Sequence, residues 1–539
     1  MKSAALCAQL LLSLFAPSLF AADWSYAVRP GDTLSEIAHH YLKHPGDWAR
    51  LQVLNEVKDP RRLTPGEKLR IPVDWLRQGA AMATAIHVRG DVVRVLAGAE
   101  QPLRAGDRLS VGEELRTGAD SNASLRFFDG SRLLIAANSR ITLARMKQYG
   151  NTGMADTAIR LHEGKLDSRV SRQQSPAARY RIESQALNLG VRGTEFRFGV
   201  APNGPAHAEV LSGRVLAAGA RGGAVVGLDA GYGTVSRADG GPSSARALAP
   251  PPRLAGLPDR VEHLPLRFAW AAGEGITRWR AQVFSEASDD ILLLDDTFTE
   301  PSAKWPDLPD GRYRLRVHAV ADDGLEGRNA EHVFVLAARP EAPLALAPAE
   351  GRAIRAQSVM LRWARPQGVS GFRLQLADSP KFDPLLVDES ELSDVEYPVQ
   401  VHDGEYYWRL ASIADDGRQG PFSLAHRFSH VPPPSSPALE EPALEDDALQ
   451  LRWPAGEPGQ TFRLQLSPDA GFSSVLVNEQ LSAPSFRLER EFLGRSVFVR
   501  VQTIDSDGVA GPYSAPQQIE VPSSLPAWPL LFVPLILAL

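Results

Sequence analysis

Three histidines near the start of the chain form its only histidine cluster. His39, His40 and His44 lie within six residues, and the i, i+4 spacing of His40 and His44 would place two side chains on one helix face. A zinc site of this kind needs a third ligand and, in metallopeptidases, an H-E-x-x-H pattern. Neither accompanies these residues. The sequence therefore favours a solvated helix face, and no metal is predicted.

Aspartate pairs recur in the second half of the chain and raise the question of calcium sites. Each pair follows an alternating strand pattern and precedes a glycine, as is typical of a hairpin turn. No twelve-residue loop with a closing glutamate follows, although an EF-hand requires one. Turn formation is therefore the favoured interpretation. The groups are Asp322-Asp323, Asp415-Asp416, and Asp505 with Asp507.

Catalytic nucleophiles are scarce in the sequence. Cys7 is the only cysteine, and it falls in a segment that we expect to be removed, so disulfides, cysteine nucleophiles and cysteine-ligated zinc are excluded from the mature chain. No G-x-S-x-G or S-x-x-K motif occurs in a suitable context. A pair of glycosidase carboxylates would leave no signature and stays open. We predict no catalytic residues, no cofactor and no enzyme activity.

The first structural unit, residues 26–72, has the pattern of a small β-α-α-β domain. A short strand, Tyr26-Ala27-Val28, leads through a Pro30-Gly31 turn into a helix that Asp32 or Thr33 caps. A second helix ends near Asn55, and a Pro-Gly turn precedes the last strand. The apolar helix faces are formed by Leu34, Ile37 and Ala38, and by Trp48, Leu51 and Leu54.

This arrangement resembles the LysM family, whose members bind glycans containing N-acetylglucosamine. In that family the sugar lies in a shallow groove between the first strand–helix loop and the loop before the last strand. The resemblance implies peptidoglycan, or a related glycan, as the partner. An extra segment at 44–48 leaves the shape of the groove open, and turn formation or capping is the competing interpretation for each residue. The implied binding residues are Gly31, Asp32, Thr33, Leu34, Arg61, Leu63, Thr64 and Pro65.

Both ends of the chain are apolar. Residues 1–22 carry a lone charge at Lys2, an apolar run and a final Ala21-Ala22, which is the pattern of a secretory signal peptide. We therefore expect export to the periplasm or cell envelope. The uncharged residues 521–539 would span about 28 Å as a helix, but their prolines oppose a straight one. The predicted tail, 523–539, is interpreted either as a membrane anchor or as an apolar segment packed on a partner.

Residues 86–240 change to alternating strand patterns separated by glycines. An Asp129-Gly130-Ser131 turn joins two such strands. With the V-R-G-T-x-F run at 191–196 and the V-L-x-G-x-V run at 210–215, the segment resembles the FecR-like periplasmic domain. Gly190 and Gly193 are interpreted as sites of positive φ or close backbone approach, and Arg192 as solvent-facing. Because a predicted signal peptide and the LysM-like unit precede this domain, we expect no cytoplasmic segment before it, and the resemblance then implies only an extracytoplasmic contact with an unknown protein partner.

A pattern with a period near ninety residues fills the rest of the chain. It follows a Pro- and Ala-rich stretch, 241–258, that we predict to be a linker. Trp270, Trp363 and Trp453 occupy equivalent strands, 93 and 90 residues apart. The pattern resembles three divergent fibronectin type III domains, predicted as β-sandwiches at 259–338, 343–431 and 437–522.

The predicted fold class is therefore multidomain and mostly β. It combines a small βααβ LysM domain at 23–77, an all-β FecR-like domain at 86–240 and the three tandem β-sandwich repeats. A chain of 539 residues with 44% hydrophobic content can form several such cores.

Charge is segregated along the chain. Residues 86–200 hold 18 Lys and Arg against 12 Asp and Glu, a net of +6, whereas residues 259–539 hold 25 against 41, a net of −16. No nucleic-acid partner is predicted. The sequence predicts a non-enzymatic envelope protein that is tethered to peptidoglycan by the LysM domain, with the repeats as a spacer. A sensor or regulator of envelope signalling, and a hydrolase with an unrecognised site, stay open as alternatives.

Overall fold

A computed structural model describes residues 23–172, 178–202, 205–236, 241–356, 358–445, 448–488, 492–521 and Ser523. The chain divides into two compact units, Met1–Arg339 and Pro340–Leu539. The predicted signal peptide lies outside the described residues, as does the predicted tail apart from Ser523. Among the described residues, none of the helices combines the length and apolar character needed to cross a membrane.

The LysM-like domain at the start of the first unit pairs two strands and packs two helices on them. Strands β1 and β2 are antiparallel, with Asp23 opposite Pro72 and Ala27 opposite Lys68. Single 3-10 turns precede the second helix (Pro45–Asp47) and follow β2 (Val73–Trp75). The core also takes in Met154 and Ala178 from the next domain, so the two domains share buried surface. The elements are β1 (Asp23–Ala27), α1 (Leu34–Tyr41), α2 (Trp48–Leu54) and β2 (Lys68–Pro72).

The FecR-like domain is built from strands β3 to β20, which hydrogen bonds join into one continuous, closed arrangement. The elements are β3 (Gln78–Ala80), β4 (Ala83–Arg89), β5 (Val92–Leu96), β6 (Ala99–Pro102), β7 (Arg108–Leu109), β8 (Glu114–Thr117), β9 (Asn122–Arg126), β10 (Arg132–Ile135), β11 (Arg140–Tyr149), β12 (Ala155–Arg169), β13 (Arg179–Glu183), β14 (Leu187–Val191), β15 (Glu195–Val200), β16 (Ala206–Ser212), β17 (Arg214–Gly219), β18 (Val225–Asp229), β19 (Tyr232–Ser236) and β20 (Arg246–Ala247).

Two local signals of this domain lie where the sequence places them. Strands β9 and β10 form the hairpin around Asp129-Gly130-Ser131, in which Gly130 has a φ of +82°. Gly193 has a φ of +63° between β14 and β15, whereas Gly190 lies inside β14. The long strand β12 pairs with β11 and β13 along its first part, and with β10 and β15 along its second.

The stretch 241–258, predicted to be a linker, is in contact with both of its neighbours. Strand β20 pairs with β19, and Leu248 is buried. Leu254 and Leu257 pack against the core of the first sandwich. This segment therefore joins the FecR-like domain and the first sandwich by packing as well as by chain connection.

The first sandwich completes the first unit. Its larger sheet has the order β21-β27-β26-β23-β24, and β22 pairs with β25 in the smaller sheet. Trp270, Trp279 and Trp305 are buried between the sheets. The strands are β21 (Arg260–Val261), β22 (Leu266–Ala269), β23 (Trp279–Ser285), β24 (Leu292–Phe298), β25 (Ser302–Trp305), β26 (Gly311–Ala319) and β27 (Ala330–Leu336).

The second unit contains the other two sandwiches. Each has a three-stranded sheet, β28-β30-β33 or β37-β38-β41, facing a larger one, and Trp363 and Trp453 are buried. The strands are β28 (Ala345–Ala347), β29 (Arg352–Ile354), β30 (Ser358–Trp363), β31 (Val369–Ala377), β32 (Val387–Leu392), β33 (Glu396–Gln400), β34 (Gly404–Ala414), β35 (Gln419–Phe422), β36 (His426–His430), β37 (Ala443–Glu445), β38 (Ala448–Arg452), β39 (Thr461–Ser467), β40 (Val477–Leu481), β41 (Ser485–Leu488), β42 (Ser496–Ile504) and β43 (Gln517–Glu520).

The aspartate groups of the three repeats lie in turns. Gly324, Gly417 and Gly508 all have positive φ values, between +81° and +88°. In each turn the glycine N–H donates to a carbonyl three residues earlier, at 2.9 Å. Within the described residues, no three His, Cys, Asp or Glu side chains gather in a metal-binding group.

Candidate glycan-binding site

The two loops implicated by the LysM resemblance lie side by side. The first joins β1 to α1, and the second joins α2 to β2. Three backbone hydrogen bonds of 2.9 Å hold them together: Leu34 N–H to the Pro60 carbonyl, Val28 N–H to the Glu67 carbonyl, and Gly66 N–H to the Val28 carbonyl. The structure thus brings the two predicted groups of residues to one edge of the domain.

The first loop is fixed by Asp32. Its carboxylate accepts hydrogen bonds from the Tyr26 hydroxyl at 2.6 Å and from the Arg29 N–H at 2.7 Å. Burial, reinforced by the bond to Asp32, raises the pKa of Tyr26 well above its ordinary value. The phenol therefore stays protonated as the donor. Gly31, at the tip, is exposed, has a φ of +92° and leaves open space where a Cβ would lie.

Thr33 and Leu34 hold the helix that follows the first loop. The Thr33 hydroxyl accepts from the Glu36 N–H at 3.2 Å, and the Glu36 carboxylate accepts from the Thr33 N–H at 3.1 Å. This capping box satisfies two amides at the start of α1. Leu34 is fully buried. Thr33, not Asp32, is therefore the cap, and Leu34 forms part of the floor beneath the loop rather than its surface.

The second loop supplies most of the exposed predicted residues. Arg61, Thr64 and Pro65 are exposed, whereas Leu63 is half-buried against the domain core. Among the described residues, the Leu63 and Thr64 amides have no hydrogen-bond partner. The loop therefore offers main-chain donors and a guanidinium at its rim, with an apolar side chain below. These groups match the hydroxyls, acetamides and apolar faces of amino sugars.

Two side chains that organise the site are missed by the sequence analysis. The Asp59 carboxylate accepts from the Arg61 N–H at 2.9 Å. The Asn55 side chain donates to the Arg70 carbonyl at 2.9 Å and accepts from the Arg70 N–H at 2.6 Å, which ties the end of α2 to β2. An aspartate whose side chain bonds the backbone N–H two residues later is typical of a turn, so the sequence could have identified Asp59. The hydrogen bonds of Asn55 join residues that are far apart in the chain, so no local sequence pattern predicts them.

The histidine cluster lies away from the loops. His39 and His40 are exposed in the last turn of α1, and His44 is exposed before the 3-10 turn. This exposure agrees with a solvated helix face.

Two family models match parts of this chain. Residues 26–72 match the family model of the LysM domain, and residues 113–216 match that of the FecR protein. The chain therefore carries a LysM domain and a FecR segment, both of non-catalytic types that are typical of envelope proteins. An uncharacterized protein of Deinococcus radiodurans is 42% identical over 50 residues, which are 9% of this chain and 20% of that protein.

Three solved structures are similar to parts of this chain. Identities and TM-scores this low indicate nothing about activity or partners. The first structure is that of the FN1–FN3 domains of chicken CNTN1 (16% identity, 51% of this chain and 100% of that chain, TM-score 0.24). The second is that of the fibronectin(III)-like modules of Clostridium thermocellum CbhA (13% identity, 33% of this chain and 94% of that chain, TM-score 0.22). The third is that of a putative anti-sigma factor from Parabacteroides distasonis (12% identity, 25% of this chain and 59% of that chain, TM-score 0.21).

Proposed function

We propose that this protein is a non-enzymatic component of the bacterial envelope that binds peptidoglycan through the loops of its LysM domain. The observation that carries the proposal is the pairing of two exposed loops by three backbone hydrogen bonds of 2.9 Å. The pairing fixes main-chain donors of the second loop beside the Gly31 turn. Such a preorganised rim avoids the entropic cost of ordering loops upon binding. The FecR-like domain is proposed to contact a protein, and the three sandwiches to act as the spacer.

Charge reversal at the rim tests the binding site. Arg61→Glu removes an exposed donor and places a carboxylate beside a wall polymer that itself carries carboxylates. Sedimentation of the chain from residue 23 onward with purified peptidoglycan should show binding about tenfold weaker, a loss of about 1.4 kcal/mol. Soluble N-acetylglucosamine oligomers should compete with binding of the unmodified chain.

Lys43→Glu is the matched control. It makes the same change in charge on an exposed residue just after α1, at the end of the helix opposite the loops. Equal binding by the two variants, with unchanged thermal unfolding, would contradict the assignment of the loops. Release of soluble muropeptides by the purified chain would contradict its non-enzymatic character.

A regulatory role in envelope signalling is the second candidate, and the FecR match over residues 113–216 favours it. The two functions differ in how the FecR-like domain responds to glycan binding. In a tether, the hydrogen exchange of the FecR-like domain is the same with and without glycan. A sensor would change the hydrogen exchange of that domain when peptidoglycan fragments are added.

A further inference from the structure

One face of the FecR-like domain, formed by β9, β10, β12 and β15, is covered by the first sandwich. The sandwich inserts the segment 286–293, which comprises the loop between β23 and β24 and the first two residues of β24 and is called the insertion loop. Leu292 of this insertion loop is fully buried in a cluster with Leu134 and Phe284. Side chains of the FecR-like domain donate to three of its carbonyls. The donors are Ser124 to Asp290 (2.6 Å), Asn122 to Leu292 (3.2 Å), and Arg89 to Leu293.

Opposite charges surround this contact. The FecR-like domain contributes the cations and the sandwich the anions, in agreement with the net charges of the two segments. Each ion pair of this kind at the exposed rim contributes little to the stability of the contact. The pairs are Arg132 with Asp290, Arg169 with Asp289 (3.2 Å) and Arg246 with Asp323 (2.7 Å).

The centre of the contact is the Glu326 carboxylate, whose side chain is 1% exposed. It accepts from Lys165 at 2.6 Å and Arg197 at 3.1 Å in the FecR-like domain, and from Arg280 at 3.1 Å in its own sandwich. Its backbone N–H also donates to the Glu209 carboxylate across the contact, at 3.0 Å. Burial alone would raise the pKa of Glu326, but the nearby Lys165 and Arg280 hold it well below its usual range.

The other two sandwiches carry the same framework on the equivalent face. The loop has the same length in all three repeats, because Val283 pairs with Leu294, Leu376 with Val387 and Leu466 with Val477. A glutamine in the preceding strand bonds the residue that follows each loop. These bonds are Gln282 to Asp295 (3.2 Å), Gln375 to Asp388 (3.3 Å) and Gln465 to Asn478 (3.4 Å).

The repeats differ at the ionic centre. Glu326 forms a β-bridge with Val320, and the equivalent pairs are Gln419 with Ile413 in the second repeat and Ala510 with Ile504 in the third. Gln419 and Ala510 therefore occupy the position of Glu326, and both are exposed. The apolar loop residue is kept in all three. In the second and third repeats it is Leu385 and Val475, which are 37% and 41% exposed, whereas Leu292 is fully buried.

The FecR-like face presents two cations to this carboxylate: the Arg197 side chain is 4% exposed and the Lys165 side chain is 35% exposed. Any sandwich that covers this face desolvates Arg197 and part of Lys165, and a glutamine or alanine cannot compensate their charge. An apolar loop alone, which all three repeats have, does not discriminate among them.

We propose that this face of the FecR-like domain is a protein-docking surface for an acidic β-sandwich, that the first sandwich occupies it within the chain, and that Glu326 is the residue that selects the first sandwich over its two sister repeats. The inference is independent of the glycan site. It also gives the first sandwich a role other than that of a spacer.

Hydrogen exchange of the full chain tests the proposal. Glu326→Gln keeps the side-chain shape but removes the charge and turns an N–H₂ group toward the three cations. Exchange should accelerate about tenfold on both sides of the contact, in the peptide that contains the Glu326 amide and in the β9–β10 hairpin, while the LysM domain and the second unit keep their rates. Acceleration on the sandwich side alone, or on neither side, would overturn the proposal.

Glu331→Gln is the matched control, because Glu331 pairs with Arg316 inside the same sandwich at 2.9 Å and, among the described residues, forms no ion pair with the FecR-like domain. Glu331→Gln should leave the hydrogen-exchange rate of the β9–β10 hairpin unchanged. If Glu326→Gln fails to fold, Lys165→Met provides the same test from the FecR-like side, and acceleration on both sides is again the supporting result. Peptidoglycan binding should be the same in all variants, which separates this proposal from the assignment of the LysM loops.

Discussion

His318 shows how strongly the docked face perturbs a single side chain. The ring is fully buried, and its Nε2 lies 3.0 Å from the Glu326 carboxylate. Burial and, secondly, the Arg197 guanidinium lower the pKa of His318 to about 3. The imidazole is therefore neutral in the folded chain at neutral pH and donates its N–H to the carboxylate.

This histidine makes the first unit sensitive to acid. The unfolded chain binds a proton at His318 near pH 6.5, but the folded chain does so only near pH 3, so protons favour the unfolded state in between. We expect the free energy of unfolding to fall by roughly 2 kcal/mol between pH 6.5 and pH 5 because of this residue. His318→Gln should flatten that slope in denaturant titrations. His332→Gln, which changes a histidine on the neighbouring strand β27, should not, and equal slopes in the two variants would disprove the assignment.

At the scale of the element, strand β12 depends on one glycine. Gly164 has a φ of +98° and lies where the pairing of β12 changes from β11 to β15. A Cβ at this position would lie 2.4 Å from the Ser139 Cα. Backbone atoms, not only a movable side chain, therefore exclude any other residue.

Gly164→Ala should destabilise the first unit by roughly 3 kcal/mol, since it combines an unfavourable φ with overpacking. Gly106→Ala is the control, because Gly106 has a similar φ of +93° but open space around the missing Cβ. It should cost only about 1 kcal/mol in denaturant unfolding. A difference of less than about 0.5 kcal/mol between the variants would mean that the close approach to Ser139 is relieved by small shifts.

The sequence predicts these elements where the signal is local. The helix cap at Thr33 and the turn at Gly130 each follow from a few neighbouring residues, and the strands of Trp363 and Trp453 follow from the repeat near ninety residues. The pairing of β12 with β15, and the contact of Glu326 with Lys165, join residues that are far apart in the chain and leave no period to detect. The two loops of the LysM domain are intermediate, because the sequence predicts their positions, whereas the structural roles of Asp32 and Leu34 depend on packing.

On the scale of the whole molecule, the second and third sandwiches are joined by a specific contact. Arg355, at the end of β29, pairs with Asp505 and, at 2.5 Å, with Asp507 in the turn of the third sandwich. It also donates to the Pro432 carbonyl between the repeats, at 3.2 Å. The guanidinium thus connects two domains and the segment that links them.

Arg355→Ala should loosen this junction without unfolding either sandwich. Hydrogen exchange in the turn at 505–510 should accelerate roughly fivefold, equivalent to about 1 kcal/mol, as expected for partly exposed pairs. Arg352→Ala removes an exposed arginine from β29 itself, whose side chain has no ion pair or hydrogen bond within the described residues. It should leave hydrogen exchange in the turn unchanged. No difference between the two would show that the repeats are connected only by the chain.

The buried surface shared by the LysM and FecR-like domains has a mechanical consequence. Leu76 caps the 3-10 turn that follows β2, and β3 begins only two residues later and pairs with β11. Between them, the Arg77 N–H donates to the Tyr41 carbonyl at 2.8 Å, and the Arg77 carbonyl accepts from the Gly150 N–H at 2.7 Å. The connection between the two domains is therefore short and is held by hydrogen bonds on both sides. A pull applied by a glycan strand would therefore be transmitted as tension directly into the sheet of the FecR-like domain, rather than absorbed by an extensible tether.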